Sequence, residues 1–138
     1  MQLLHIMIRV KDVDKSLAFF EHLGLKETRR FDYAAGRFTL IYLKDNYGAC
    51  ELEFTHNWDQ TDNYSIGNNF GHIAFAVENI YESCKKLQNE GAIISLPPRD
   101  GAMAFVKSPD GISIELLQKG GALVPDSYWQ NQPNIGTW

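Results

Sequence analysis

Apolar and polar residues alternate along residues 2–10, and this period of two predicts a β-strand with one buried face. Leu4, Ile6, Ile8 and Val10 share one face, and Leu3, His5, Met7 and Arg9 share the other. Over residues 13–23 the apolar positions recur every three or four residues, which predicts an amphipathic helix. Asp12 is the predicted N-cap of this helix, and Gly24 is predicted to end it.

Three short strands are predicted next, near residues 25–31, 37–43 and 49–57, with turn-rich segments between them. After a polar stretch the strand-helix pattern restarts, 67 residues further along the chain and without a gap. Under this offset His5 corresponds to His72 and Gly24 to Gly91. The second half is predicted to contain a strand around 72–77, a helix to about residue 90, and strands near 92–96, 102–107 and 112–117.

This order of elements predicts an α+β fold built from two tandem βαβββ modules. We expect one domain of 138 residues, with module 1 at 1–57, a linker at 58–69, module 2 at 70–118 and a C-terminal arm at 119–138. The arm is predicted to be extended and to dock on the fold, because Trp129 and Trp138 are costly to leave in water.

Strand parity selects a set of possible metal ligands. His5 and His72 occupy matching positions in the two repeats, whereas a lone histidine in a strand is ordinarily structural. Each half also has a glutamate in a later strand, Glu53 and Glu115, on the face that does not pack on the helix. Imidazole and carboxylate groups suit Ni, Co, Zn, Fe or Mn. Glu51 lies on the same face as Glu53, and spacing alone does not choose between them.

Composition and charge exclude several classes of function. A net charge of -4 and a pI near 5.5 argue against a nucleic-acid partner. No apolar stretch is long enough to span a membrane, and no signal peptide is recognisable, so a cytoplasmic location is expected. Cys50 and Cys84 are interpreted as packing residues in a reducing compartment. His22 and His56 fall outside the repeat and are not expected to bind metal, whereas Arg9 shares the face of His5 and would attract an anionic substrate.

Four stretches of the chain resemble the glyoxalase I family of the vicinal-oxygen-chelate superfamily. They are residues 4–10 (LHIMIRV), 53–58 (EFTHNW), 71–74 (GHIA) and 103–117 (MAFVKSPDGISIELL), and the resemblance spans essentially residues 2–118. The tail at 127–138 also resembles the ending of a bacterial subgroup.

The resemblance implies a role for each matching residue. It implies that His5, Glu53, His72 and Glu115 are the metal ligands, and it favours Glu53 over Glu51 because the family glutamate precedes the residue matched by Asn57 by four positions. It further implies that Glu115 is the principal catalytic base, and that Glu53 is able to act on the opposite substrate enantiomer. Residues that match glutathione contacts of the family are Arg9, Asn57 and, in a short loop, Arg99.

The activity implied by the resemblance is isomerisation of the hemithioacetal of glutathione and methylglyoxal to S-lactoylglutathione. The implied cofactor is one divalent cation per site, with Ni2+ or Co2+ favoured and Zn2+ an alternative, and glutathione is the co-substrate. The implied assembly is a homodimer with open, barrel-like sheets, in which His5 and Glu53 of one chain meet His72 and Glu115 of the other.

Three alternative functions follow from the same residues. A thioester epimerase of the superfamily would have Gln where Glu53 stands. A non-catalytic binding module usually lacks the full set of ligands, which this chain keeps. An oxygen-activating iron enzyme needs two histidines and one carboxylate with open positions, and a fourth ligand argues against it.

Overall fold

The structure, a computed structural model, describes residues 1–48 and 50–138, and in these residues it contains eight strands and three helices. The order of the elements is β1 (His5–Arg9), α1 (Val13–His22), β2 (Lys26–Tyr33), β3 (Phe38–Lys44), β4 (Glu51–Asn57), β5 (His72–Val77), α2 (Ile80–Asn89), β6 (Ile94–Leu96), β7 (Met103–Lys107), β8 (Ser113–Gln118) and α3 (Ser127–Gln130). The predicted α+β class and the βαβββ order of both halves are confirmed. The predicted start of β4 at residue 49 lies outside the described residues.

The chain divides into two compact units, residues 1–65 and residues 66–138. Unit 1 contains a four-stranded sheet in the order β1-β4-β3-β2, in which β1 and β4 are parallel and the other neighbours are antiparallel. Unit 2 repeats this plan in the order β5-β8-β7-β6, with β5 and β8 parallel. In each unit the helix connects the first strand to the next, and the last strand returns to lie beside the first.

Polar caps define both long helices. The Asp12 side chain accepts a hydrogen bond from the Lys15 backbone N–H at 3.1 Å, and the Asn79 side chain caps α2 in the same way. Each helix is followed by a glycine with a φ of +88°, Gly24 after α1 and Gly91 after α2. Glycine adopts this left-handed conformation without steric cost, so the sequence stops both helices at equivalent points.

One face of each sheet forms a hydrophobic core with its helix. In unit 1, Phe20 of α1 lies 5.4 Å from the Phe54 ring of β4, measured between centroids, and both are buried. In unit 2, Ile114 and Leu116 of β8 and Cys84 of α2 are fully buried. Because side chains alternate across a strand, the residues between these core positions lie on the opposite face of the sheet, and they include the predicted ligands.

The C-terminal arm docks on unit 2, but it is not uniformly extended as predicted. Asp126 caps a short helix, α3, and this turn places Trp129 in a buried position with 3% of its surface exposed. The Tyr81 hydroxyl donates a hydrogen bond to the Val124 carbonyl at 3.1 Å and accepts one from the Asp126 N–H at 3.2 Å. The sequence therefore predicts the docking of the arm correctly, whereas a helix of one turn after Asp126 is too short to produce a periodic signal.

Gly101 lies in close contact with the start of the C-terminal arm. Its φ is +71°, and a Cβ there would meet the Leu123 carbonyl oxygen at 2.3 Å. Gly120 has a similar φ of +76° but no atom within 4 Å of its Cβ position. We therefore expect Gly101→Ala to lower the free energy of unfolding by roughly 2–4 kcal/mol, against about 1–2 kcal/mol for Gly120→Ala. Urea unfolding of both variants measures the difference, and equal losses would contradict the close contact.

Both cysteines are free thiols; Cys84 is buried and fits the packing role expected of it, whereas Cys50 is exposed and does not. Burial raises the pKa of the Cys84 thiol to about 12, so this group behaves as an apolar packing residue. None of the helices in residues 1–48 and 50–138 has the length and apolar character needed to cross a membrane.

Candidate metal and active site

A histidine and a glutamate meet on the open face of the first sheet. Strands β1 and β4 run parallel as neighbours, and their register pairs Met7 with Glu53. His5 precedes Met7 by two residues and therefore points to the same face as Glu53. The His5 Nε2 atom lies 3.3 Å from the Glu53 Oε2 atom. The His5 side chain is 40% exposed and that of Glu53 is 10% exposed, so the pair is accessible from solvent mainly through the imidazole.

The second sheet contains the same pair in the same register. Ala74 of β5 pairs with Glu115 of β8, and His72 precedes Ala74 by two residues. The His72 Nε2 atom lies 3.2 Å from the Glu115 Oε2 atom. Each unit therefore places one histidine and one glutamate on its open face, and the two pairs are equivalent in backbone position as well as in sequence.

The unequal sequence spacing of the two pairs has a structural explanation. Glu53 follows His5 by 48 residues, whereas Glu115 follows His72 by 43 residues. The extra residues of unit 1 are accommodated before β4, mainly in a longer hairpin, since β2 has 8 residues and its counterpart β6 has 3. The strand pairs that carry the ligands keep an identical register, so the insertion leaves the site geometry unchanged.

Glu51, the rival of Glu53, has a different partner. Both oxygens of the Glu51 carboxylate accept hydrogen bonds from the Arg29 guanidinium, and the Nη2–Oε2 distance is 2.7 Å. This bidentate contact lowers the pKa of Glu51 below its ordinary value. Although Glu51 pairs with His5 in register, its carboxylate binds Arg29, and the carboxylate beside the His5 imidazole is that of Glu53.

Aromatic residues that the sequence reasoning missed flank both pairs. Tyr42 of β3 is opposite Glu53, and its ring meets the His5 ring edge to face at 5.9 Å. Phe105 of β7 is opposite Glu115 and meets His72 in the same way at 5.4 Å. The pKa of Tyr42 is raised to about 12, because its hydroxyl hydrogen-bonds to the Glu53 carboxylate and because burial disfavours the phenolate. Cross-strand register was the missing signal, and a single sequence does not reveal it.

Arg9 and Asn57 lie at the ends of neighbouring strands on the open face of unit 1. Arg9 ends β1 and is exposed, and it pairs in register with Thr55, two residues before Asn57. The Asn57 amide donates a hydrogen bond to the Tyr64 hydroxyl at 3.1 Å. Both side chains share the face of His5 and Glu53 by strand parity, so the structure brings the four together on one sheet face.

Arg99 belongs to unit 2 and holds the C-terminal arm. Its Nε and Nη2 atoms donate to the Gln132 carbonyl at 3.0 and 2.7 Å, and Nη2 also donates to the Asn134 side chain at 2.6 Å. Beyond these contacts the arm reaches the second pair, since the Trp138 ring stacks on Phe105 at 5.9 Å with an interplanar angle of 19°. The sequence reasoning left the role of the arm open, and the structure places its last aromatic ring beside the neighbour of His72.

The two remaining histidines occupy other positions in unit 1. His56 lies on β4 with the parity opposite to Glu53, and its Nδ1 atom is 3.3 Å from the Val10 carbonyl oxygen. His22 lies in the last turn of α1. Neither residue joins a group of donors on the open faces of the sheets.

The donor chemistry of the two pairs fits a divalent cation. Imidazole nitrogen and carboxylate oxygen bind such ions at about 2.0–2.2 Å, so adjacent ligands of one ion are about 3 Å apart. The separations of 3.3 and 3.2 Å in the two pairs match this requirement. Across the described residues, no three His, Cys, Asp or Glu side chains form a group that could hold a metal ion. Each unit thus contributes two of the four predicted ligands.

The fold and these residues place the chain in a known family. Residues 2–116 match the model of the Glyoxalase/Bleomycin resistance protein/Dioxygenase superfamily, and the chain belongs to this family. A lactoylglutathione lyase of Neisseria meningitidis is 44% identical over 127 residues, which cover 86% of this chain and 91% of that protein. A probable lactoylglutathione lyase of Synechocystis is 46% identical over 127 residues, with 86% and 95% covered.

Solved structures agree with this assignment. The trypanothione-dependent glyoxalase I of Leishmania major superposes with a TM-score of 0.79 at 36% identity, over 86% of this chain and 87% of that one. Glyoxalase I of Zea mays gives a TM-score of 0.75 at 28% identity, and the match covers 90% of this chain but 47% of the maize chain.

Proposed function

We propose that this protein is a metal-dependent lactoylglutathione lyase that detoxifies methylglyoxal. The observation that carries the proposal is the repeated His–Glu pair: His5 with Glu53 and His72 with Glu115, in identical register on the two sheets. Relatives named lactoylglutathione lyase match most of the chain at 44–46% identity, which supports the same activity here.

The proposed substrate is the hemithioacetal that forms from glutathione and methylglyoxal. The reaction moves a proton from C1 to C2 and yields S-lactoylglutathione, so it needs no oxidant or reductant. Glu115 removes the C1 proton and returns it to C2, and Glu53 performs this role for the opposite enantiomer. His5, Glu53, His72 and Glu115 would hold the cation, which when bound stabilises the negative charge that develops on the two neighbouring substrate oxygens.

Substrate binding is assigned to the cationic and amide groups near the first pair. Arg9 is an exposed cation on the same sheet face, suited to a carboxylate of the tripeptide, and Asn57 offers an amide on the neighbouring strand. Arg99 is proposed to contact the glycyl carboxylate. Its guanidinium carries five N–H donors, so this contact is compatible with the bonds that it makes to the arm.

A homodimer would bring the four ligands together. Each unit has two ligands, and in the proposed assembly His5 and Glu53 of one chain face His72 and Glu115 of the other, giving two equivalent sites. Ni2+ or Co2+ is proposed as the working cation with Zn2+ as the alternative, on the family resemblance, because imidazole and carboxylate ligands suit all three. The proposed location is the cytoplasm.

Removal of the metal is expected to abolish turnover. Protein stripped with a chelator should form no thioester from glutathione and methylglyoxal, and Ni2+ or Co2+ should restore the absorbance change more fully than Zn2+. The reason is that without the cation the developing charge is unscreened and the proton transfer loses several kcal/mol of stabilisation. Parallel assays with trypanothione in place of glutathione test the choice of thiol.

Three unexpected outcomes of this experiment would lead to different conclusions. If no divalent cation supports thioester formation while the protein still binds the metal, the catalytic proposal is wrong and the chain is a binding module. If stripped protein retains full activity, the metal is not required. If only trypanothione gives product, the reaction class stands and the thiol assignment is wrong.

A further inference from the structure

The two His–Glu pairs are identical in backbone position but differ in one neighbouring group. Tyr42 is opposite Glu53, and Phe105 is opposite Glu115, in equivalent antiparallel registers. Both rings contact the histidine of their pair edge to face, with interplanar angles of 76° in each case. The register places the Tyr42 side chain beside the Glu53 carboxylate, and the phenol hydroxyl is a hydrogen-bond donor there; this interaction raises the pKa of Tyr42 to about 12. Phe105 has no hydroxyl, so it cannot hold Glu115 in this way.

Tyr42 is itself held in place by a charged neighbour. The Arg29 guanidinium carbon lies 3.8 Å from the centroid of the Tyr42 ring, a cation–π contact. Arg29 is in turn fixed by its bidentate contact with Glu51. Glu51, Arg29 and Tyr42 therefore form a connected series of contacts that ends at the residue opposite Glu53.

We propose that Tyr42 is a positioning residue that restrains the Glu53 carboxylate toward His5 as a metal ligand, which makes Glu115 the principal group for proton transfer. This inference rests on the proposed function and deepens it. The two carboxylates need different environments to take different roles, one as a restrained ligand and the other as a group free to take the substrate proton. Hydrogen bonds to a metal-ligating carboxylate restrict its rotation and support its role as a ligand. Phe105, which stacks on Trp138, gives Glu115 an apolar neighbour that cannot hydrogen-bond to its carboxylate.

A reciprocal exchange of one hydroxyl tests the inference. Tyr42→Phe gives the first pair the side chain of the second, and Phe105→Tyr does the reverse. We expect Tyr42→Phe to weaken metal binding about 10- to 100-fold, the usual effect of removing a partner of a ligand. With the cation at saturation its kcat should fall less than about 3-fold. Phe105→Tyr should bind metal at least as tightly as the unaltered protein and lose about 10-fold in kcat, because Glu115 is then restrained.

Metal affinity is measured by competition with a coloured chelator, separately from turnover, and melting temperatures verify folding. Tyr47→Phe, in a turn where Tyr47 is 87% exposed, is the matched loss of a hydroxyl and should change neither quantity. Unchanged metal affinity in Tyr42→Phe, or an equal loss of kcat in both exchanges, overturns the inference. Absence of lyase activity in the unaltered protein would instead overturn the proposed function, so the two failures are distinguishable.

Discussion

Glu115→Gln is expected to lower kcat by about 10²- to 10⁴-fold, the usual contribution of a positioned general base. By the relation between rate and barrier, this corresponds to about 3–5 kcal/mol of transition-state stabilisation. Glutamine keeps the size of the side chain and an oxygen for the cation, but it does not take up the C1 proton. The measurement is kcat for thioester formation with the metal content of each sample determined in parallel.

Two comparison variants show whether the loss of activity in Glu115→Gln comes from the missing base, from the missing charge or from loss of metal. Glu78→Gln removes an exposed carboxylate of the same unit that pairs with Lys119, and its kcat should remain near the unaltered value. Glu53→Gln should release metal more readily than Glu115→Gln, because Glu53 is proposed as the fixed ligand. Near-native turnover of Glu115→Gln with metal bound would refute its assignment as the base.

Mixing two inactive double variants is expected to restore activity if the sites are shared between chains. One variant carries His5→Ala with Glu53→Ala, and the other carries His72→Ala with Glu115→Ala. In a mixed dimer one site has all four ligands and the other has none. If the chains reassociate at random, half of the dimers contain one copy of each variant. Each of these dimers has one working site of two, so about a quarter of the unaltered activity should return.

Different tags on the two variants allow the mixed dimer to be purified and its activity to be assigned. Each double variant alone should stay inactive at any metal concentration. A site formed within one chain would remain broken in every combination, so an inactive mixture with demonstrated exchange of chains would exclude the shared site. A single monomeric species with full activity would exclude it as well.

Much of the local structure was predictable because it depends on short-range rules. Asp12 and Asn79 cap the helices where their side chains can reach backbone N–H groups, and Gly24 and Gly91 stop them. The helix in the arm was missed, since a single turn after Asp126 leaves almost no periodic signal. Strand parity correctly placed Ile8 and Val10 in the core, but Leu4 and Ile6, predicted on the same buried face, are exposed.

The choice between Glu51 and Glu53 shows where sequence reasoning ends. The two residues have the same parity, and a resemblance to a family favoured Glu53. In the structure, the Arg29 guanidinium of β2 binds the Glu51 carboxylate, and the Glu53 carboxylate lies beside the His5 imidazole. The spacing from histidine to glutamate is 48 residues in unit 1 and 43 in unit 2, and the sequence alone does not explain the difference. The strand register does, because the longer hairpin of unit 1 contains the extra residues.

By itself, the sequence determined the duplication, the order of elements and the faces of the strands, because periodicity and caps are properties of neighbouring residues. Tertiary structure alone decided which side chains meet across strands. It paired Tyr42 with Glu53 and Phe105 with Glu115, it used Arg99 to hold the arm, and it placed Trp138 beside Phe105. These contacts depend on sheet register and chain return over tens of residues, which no local pattern encodes, and they distinguish two sites that the repeat made alike.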